Sequence, residues 1–95
     1  MFRIELTPQA LNQLKAVKRY DASQIVHAIE THLRTTPDKP SPPRIKILRG
    51  RQQATYRLRA GNYRIFYDVL DEAVRVVAIL HKKDTERFYS EEGSQ

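Results

Sequence analysis

The sequence predicts an α+β fold. It reads as a small single domain over residues 1–95, with an N-terminal strand and a two-helix hairpin packed on one face of a twisted, mostly antiparallel four-stranded sheet. A short C-terminal helix closes it. Three observations carry this reading. Two apolar stripes at helical spacing fill the first third of the chain, four prolines (Pro37, Pro40, Pro42, Pro43) then end all helical pattern, and the stretch from Thr55 to Lys83 alternates apolar and polar residues around a Gly-Asn turn.

In order, Phe2-Arg3-Ile4-Glu5-Leu6 alternates as a short strand. Thr7 and Pro8 read as N-cap and first helical residue, followed by a stripe of Ala10, Leu11, Leu14 and Val17. Asp21 or Ser23 is the expected cap of a second helix with the stripe Ile25, Val26, Ile29 and Leu33. The helical pair covers one sheet face, and His27 and His32 on its second helix read as structural or surface residues. The proline connector leads through a short extended piece, Arg44 to Leu48, into a basic loop at Arg49-Gly50-Arg51. After Lys83, Asp84 caps a short terminal helix, and residues 90–95 have little to bury and fray.

Parity orders the three-strand stretch. A two-residue turn at Gly61-Asn62 sets Arg59 against Arg64 and Arg57 against Phe66, with Leu58, Ile65, Tyr56 and Tyr67 on the opposite face. Continued regularly through a turn near Asp71-Glu72, the pattern puts Ala78 beside Ile65, Leu80 beside Tyr63 and Ile79 beside Arg64. It also pairs Arg75 with Asp68 and sends His81 and Lys83 to the face that holds the arginines.

Composition narrows the function. An apolar fraction of 40% fits an ordinary globular domain, and the lack of cysteine excludes disulfides, thiolate metal sites and a Cys nucleophile. No run approaches the ~18 apolar residues of a membrane span and no signal-peptide pattern opens the chain, so a cytoplasmic protein without a membrane partner is expected. The net charge of +6 is uneven: residues 39–67 carry eight Lys or Arg and no Asp or Glu. Such a one-signed block suits a polyanion, either nucleic acid or an acidic protein.

Arg57, Arg64, His81, Lys83 and Tyr89 form the candidate catalytic set, and Arg44, Lys46, Arg49, Arg51, Arg59, Phe66 and Lys82 the candidate RNA-binding set. Guanidinium forks hold phosphate oxygens and offset charge on a pentacovalent phosphorus. Histidine or lysine moves the protons, and Tyr89 or Phe66 stacks an unpaired base. No carboxylate cluster, glycine-rich phosphate loop or serine elbow is present, so no metal and no cofactor is expected. RNA supplies its own 2′-hydroxyl nucleophile; DNA does not.

The segment YRLRAGNYRIFY, residues 56–67, resembles the hairpin of the RelE/ParE toxin superfamily of type II toxin–antitoxin modules, and His81-Lys82-Lys83-Asp84 with Tyr89 resembles its closing motif. The resemblance covers nearly the whole chain. It implies a RelE-like ribonuclease that cleaves mRNA in the ribosomal A site by 2′-hydroxyl attack, contacts 16S rRNA, and is neutralised by an acidic antitoxin in a complex such as a heterotetramer. It implies that Arg64 stabilises the phosphate, Arg57 acts near the 2′-hydroxyl, Lys83 near the leaving oxygen, and Tyr89 on the base. His81 matches a position that varies between branches, and Thr55 stands where some members carry another lysine. The superfamily also contains gyrase-poisoning ParE proteins and non-catalytic members. ParE-type chains usually lack the cationic set that this chain keeps.

Overall fold

A computed structural model describes residues 1–41, 43–49 and 54–86. The elements are β1 (Arg3–Leu6), α1 (Pro8–Lys15), α2 (Arg19–His32), β2 (Ile45–Ile47), β3 (Tyr56–Ala60), β4 (Tyr63–Leu70), β5 (Ala73–His81) and a 3-10 turn at Lys82–Asp84. The sheet has five strands in the order β1-β5-β4-β3-β2, with β1 parallel to β5 and every other pair antiparallel. The fifth strand is β2, too short at three residues to register as a periodic pattern.

Thr7 caps α1 as the sequence predicts, its side chain accepting from the Ala10 amide at 3.1 Å, with Pro8 directly after it. The second helix differs from expectation. It starts at Arg19 behind Lys18, which makes no side-chain cap, so Asp21 and Ser23 lie inside it. Burial of Ile25, Ile29 and Leu33 outweighs the ~1 kcal/mol that a side-chain cap is worth. Asp21 then sits in the first turn, where its charge meets the positive end of the helix. Leu11 and Val26, read as stripe residues, are instead exposed.

Both helices pack on one face of the sheet, as expected. Ala10, Ile25, Ile29 and Leu33 meet Leu58, Ile65, Tyr67 and Val76 in one apolar cluster. Tyr67 ties this core to the proline connector: its hydroxyl donates to the Pro37 carbonyl at 2.6 Å and its ring stacks on Tyr56 at 5.4 Å. Burial pushes the Tyr67 phenol well above its usual range.

The β3–β4 register is the one that parity predicts, from Tyr56 opposite Tyr67 to Ala60 opposite Tyr63. Its turn holds Gly61 at φ +61°, a conformation that L side chains adopt only with strain. The β4–β5 register holds from Leu70 opposite Ala73 to Tyr67 opposite Val76 and then shifts, Phe66 facing Ala78. Val77 is the extra residue of a β-bulge. Its carbonyl accepts from Thr7 Oγ1 at 3.3 Å and Gln9 Nε2 at 3.5 Å, while Gln13 Oε1 accepts from the Ile79 amide at 2.7 Å. Side chains around the start of α1 thus satisfy the edge of β5 beyond the end of β1.

The bulge overturns the expected pairing of the upper half of β5. Ile79 lies beside Ile65, Leu80 beside Arg64 and His81 beside Tyr63. A regular ladder would send Ile79 forward and Ala78 into the core. The bulge instead buries the larger side chain behind the sheet, leaving Ile79 2% exposed. Arg75 and Asp68 are register partners as predicted, yet among the described residues they form no ion pair. Asp68 instead accepts from the Thr55 amide at 2.8 Å.

Removing the Tyr67 hydroxyl leaves the buried Pro37 carbonyl unsatisfied, so Tyr67→Phe is expected to cost ~1 kcal/mol in urea unfolding. The raised phenol keeps its proton in the folded chain where an unfolded tyrosine begins to lose it, above about pH 10. This contribution is full below that pH and lost above it, so the alkaline fall in stability should be shallower in Tyr67→Phe. Equal slopes in the two proteins would contradict this role for the phenol.

Candidate functional site

The face opposite the helices follows from the ladder. Lys46, Arg57, Phe66 and Ala78 form one cross-strand row, and Arg59, Arg64 and Leu80 form the next. In front of these rows lies a cleft of about 570 Å³ that gathers Lys46, Arg49, Arg57, Arg64 and Lys82 with Leu48 and Thr85. Among the described residues that line it there is no carboxylate.

Arg57 is the central group of this cleft. The residue is only 9% exposed, yet no carboxylate pairs with it among the described residues. Nη2 donates to the Pro43 carbonyl at 2.6 Å, and the buried Nε–H has no partner. A buried cation with an unsatisfied donor is costly unless an anion meets it. Arg64 Nη1 donates to the carbonyls of Gly61 and Tyr63, both at 2.9 Å, which holds its guanidinium near the hairpin turn. Thr85 closes the 3-10 turn by donating to the Lys82 carbonyl at 3.0 Å, which places Lys82 at the cleft.

Several predicted site residues lie elsewhere. His81 is carried by the bulge onto the face of Tyr63, whose ring it meets edge-on at 5.3 Å. There it lines a separate groove with Gln13, Lys18, Asp21 and Asp84. Its Nδ1 accepts from the Lys83 amide at 3.2 Å and so caps the 3-10 turn. The convergence of His81 with Arg64 expected from regular alternation therefore does not occur. Lys83 is exposed on that turn and does not line the cleft, whereas Lys82 does. Phe66 is fully buried with Ala54 and Ala78, so it is a core residue of the front face and not a stacking platform. Arg44 and Arg59 line another groove, beside α2. Arg51 and Tyr89 fall outside the described residues. Among the described residues no three His, Asp or Glu side chains come together to hold a metal ion.

A family model described as ParE toxin of the type II toxin–antitoxin system parDE matches residues 4–86. The chain belongs to the RelE/ParE toxin superfamily. Solved structures show the same fold. The toxin is similar to the RelB–RelE antitoxin–toxin complex of Methanococcus jannaschii, at 24% identity and TM-score 0.64, over 90% of this chain and 98% of that one. It is similar to the RelBE2 toxin–antitoxin complex of Mycobacterium tuberculosis, at 20% identity and TM-score 0.67, over 84% and 96% of the two chains. It is also similar to the YoeB dimer of Staphylococcus aureus, at 17% identity and TM-score 0.64, over 84% and 95%. No curated protein sequence matched the chain. It is a toxin of a type II toxin–antitoxin system with a RelE-like fold.

Two features of the toxin's cleft carry no signal in the sequence. One is the Pro43 carbonyl that fixes Arg57, since any residue type offers a carbonyl. The other is Thr85, which reads in sequence as an ordinary polar residue yet is 7% exposed and lines the cleft.

Replacing the buried guanidinium with an apolar chain of similar length removes the unsatisfied Nε–H, and the exposed Pro43 segment can be solvated by water. Arg57→Met is therefore expected to raise unfolding stability by ~1 kcal/mol. A loss of stability in guanidinium chloride titration would show that Arg57 supports the fold rather than a ligand.

Proposed function

We propose that this toxin is an endoribonuclease that cuts mRNA in the ribosomal A site, without a metal or cofactor, and is held in check in the cytoplasm by a cognate acidic antitoxin. The observation that carries this reading is Arg57, a buried guanidinium with an unpartnered Nε–H in a cleft lined by cations and no carboxylate. That is a built site for an anion, and the phosphodiester of RNA is the anion that brings its own nucleophile.

In the proposed reaction the scissile phosphate enters the cleft with its non-bridging oxygens on Arg57 and Arg64. The 2′-oxygen attacks phosphorus, the bond from phosphorus to the 5′-oxygen breaks, and a 2′,3′-cyclic phosphate and a 5′-hydroxyl leave. Charge builds on the equatorial oxygens at the pentacovalent stage, and two fixed guanidinium groups stabilise it. Arginine keeps its proton in proteins, so Arg57 acts as a donor and not as the base. Of the cleft lysines Lys46 and Lys82, one must enter as the neutral amine to take the 2′-hydroxyl proton and become an ammonium. The other, as the ammonium, gives a proton to the 5′-oxygen and is left as the amine. Lys82, which lines the cleft, takes the place near the leaving group that the resemblance gives to Lys83, and Tyr89 keeps the role on the base that the resemblance implies. Ribosome dependence fits a site of few described base-reading groups, with the decoding centre presenting the strand.

A second reading is a gyrase-inhibiting toxin, and the observation that favours it is the ParE description of the matching family. It predicts gyrase-dependent DNA cleavage complexes with mRNA left intact.

Inducible expression with mapping of mRNA 5′ ends separates the two. The wild-type toxin should give cuts in phase with the reading frame, and Arg64→Ala should lower them at least ~10²-fold with folding retained. In-frame cuts of undiminished frequency in that variant would remove Arg64 from the site. DNA cleavage complexes without mRNA cuts would establish the second reading instead.

A further inference from the structure

Behind the β3 edge, a groove of about 490 Å³ runs between α2 and the β3–β4 hairpin. His27, His32, Arg44 and Arg59 line it, together with Gln24 and Tyr20. These groups come from three separate parts of the chain, and none of the described lining residues is acidic. We propose that this groove is a second phosphodiester-binding subsite, which takes single-stranded RNA as it leaves the front cleft. The proposal rests on the ribonuclease reading and extends it to flanking nucleotides.

Continuity with the front cleft is the first argument. Arg59 is the register partner of Arg64, and Arg44 lies two residues before Lys46 on the same edge of the sheet. The Arg59 amide donates to the Arg44 carbonyl at 2.8 Å, which fixes the two cationic residues beside each other. The basic surface therefore passes from cleft to groove without an acidic interruption among the described lining residues. Availability is the second. Arg59 is exposed and its side chain has no hydrogen-bond or ion-pair partner among the described residues. Tyr20, 73% exposed, offers a ring on which a base can stack.

The Arg44–His32 contact makes binding sensitive to protons. Arg44 Nη1 lies 3.0 Å from His32 Nε2, and arginine can only donate, so His32 is the acceptor and is neutral. The groups that face His32 are Arg44 from the connector and His27 from its own helix, with Arg59 and Tyr20 lining the same groove. Burial first, then Arg44 and His27, hold its imidazolium below the ordinary value. A phosphate that draws Arg44 onto itself removes the acceptor role from His32 and favours its charged form. The histidine gains a proton in the complex that it lacks when free, so affinity rises as pH falls.

The test uses fluorescence anisotropy with 2′-O-methyl oligonucleotides, which cannot be cleaved: a trimer that fills the front cleft and a 12-mer that reaches beyond it. Arg44→Glu should weaken the 12-mer at least tenfold more than the trimer and lower its salt slope, by ~0.7 per lost phosphate contact. Wild-type affinity for the 12-mer should be severalfold higher at pH 5.5 than at pH 7.5, and His32→Gln should abolish that gain. Equal weakening of both lengths, or none, would overturn the subsite. So would an Arg44-dependent affinity for a polyglutamate peptide with RNA binding unchanged, which would make the groove a surface for an acidic protein. A pH gain that survives in His32→Gln would overturn the proton linkage. If the wild-type toxin fails to bind the trimer while the 12-mer still depends on Arg44, the front-cleft reading fails and the groove stands.

Discussion

The β-bulge at Val77 is the constraint on which the functional face depends. A strand has only two faces, so one extra residue exchanges every side chain beyond it. Below the bulge β5 follows simple alternation; above it, Ile79 and His81 go back and Ala78 and Leu80 go forward. The first helix holds this arrangement in place. Thr7 and Gln9 satisfy the Val77 carbonyl and Gln13 satisfies the Ile79 amide, so the distortion leaves these backbone groups hydrogen-bonded. What comes forward is therefore apolar, and the cations of β2, β3 and β4 meet over Phe66 and Ala78 without a histidine among them.

On that apolar floor a cation is expensive, and Arg57 shows how the toxin meets the cost. Its guanidinium takes one backbone carbonyl and leaves a donor unsatisfied. A carboxylate would relieve it and would also fill the place of a phosphate. The run from residue 39 to 67, with eight Lys or Arg and no Asp or Glu, makes sense in these terms: it excludes the internal acid that would neutralise the site. On the proposed reading, an acidic antitoxin would supply the missing charge from outside. If Arg57 binds phosphate as proposed, stability and activity pull against each other there, as is common where a binding group is held unpaired.

Much of this was legible in the sequence, and the failures share one cause. The Gly-Asn turn, the β3–β4 register, the Thr7 cap and the one-sided helical cover all follow from local chemistry that a few residues determine. The bulge does not, because the residues that stabilise it, Thr7, Gln9 and Gln13, lie 66 to 70 positions away in the chain. Regular alternation without the bulge puts His81 on the arginine face and Arg64 beside Ile79, where the protein pairs Arg64 with Leu80. Phe66 looked like an exposed aromatic among arginines, but Ala54 and Leu48 cover it from a connector that shows no periodicity. The Asp68–Arg75 pair was right in register and wrong in contact, since the Thr55 amide offers Asp68 a fixed donor next to it. Arg57 and Arg64 were identifiable because strand alternation alone sets their face.

The most direct test follows the Arg57 Nε–H resonance while a 2′-O-methyl trinucleotide is titrated into the labelled toxin. With phosphate bound at Arg57, a large shift of that signal is expected, with Lys82 moving alongside it and the His81 ring signals unchanged. Shifts centred on His81 with Arg57 unmoved would place the phosphate on the other face and contradict the account.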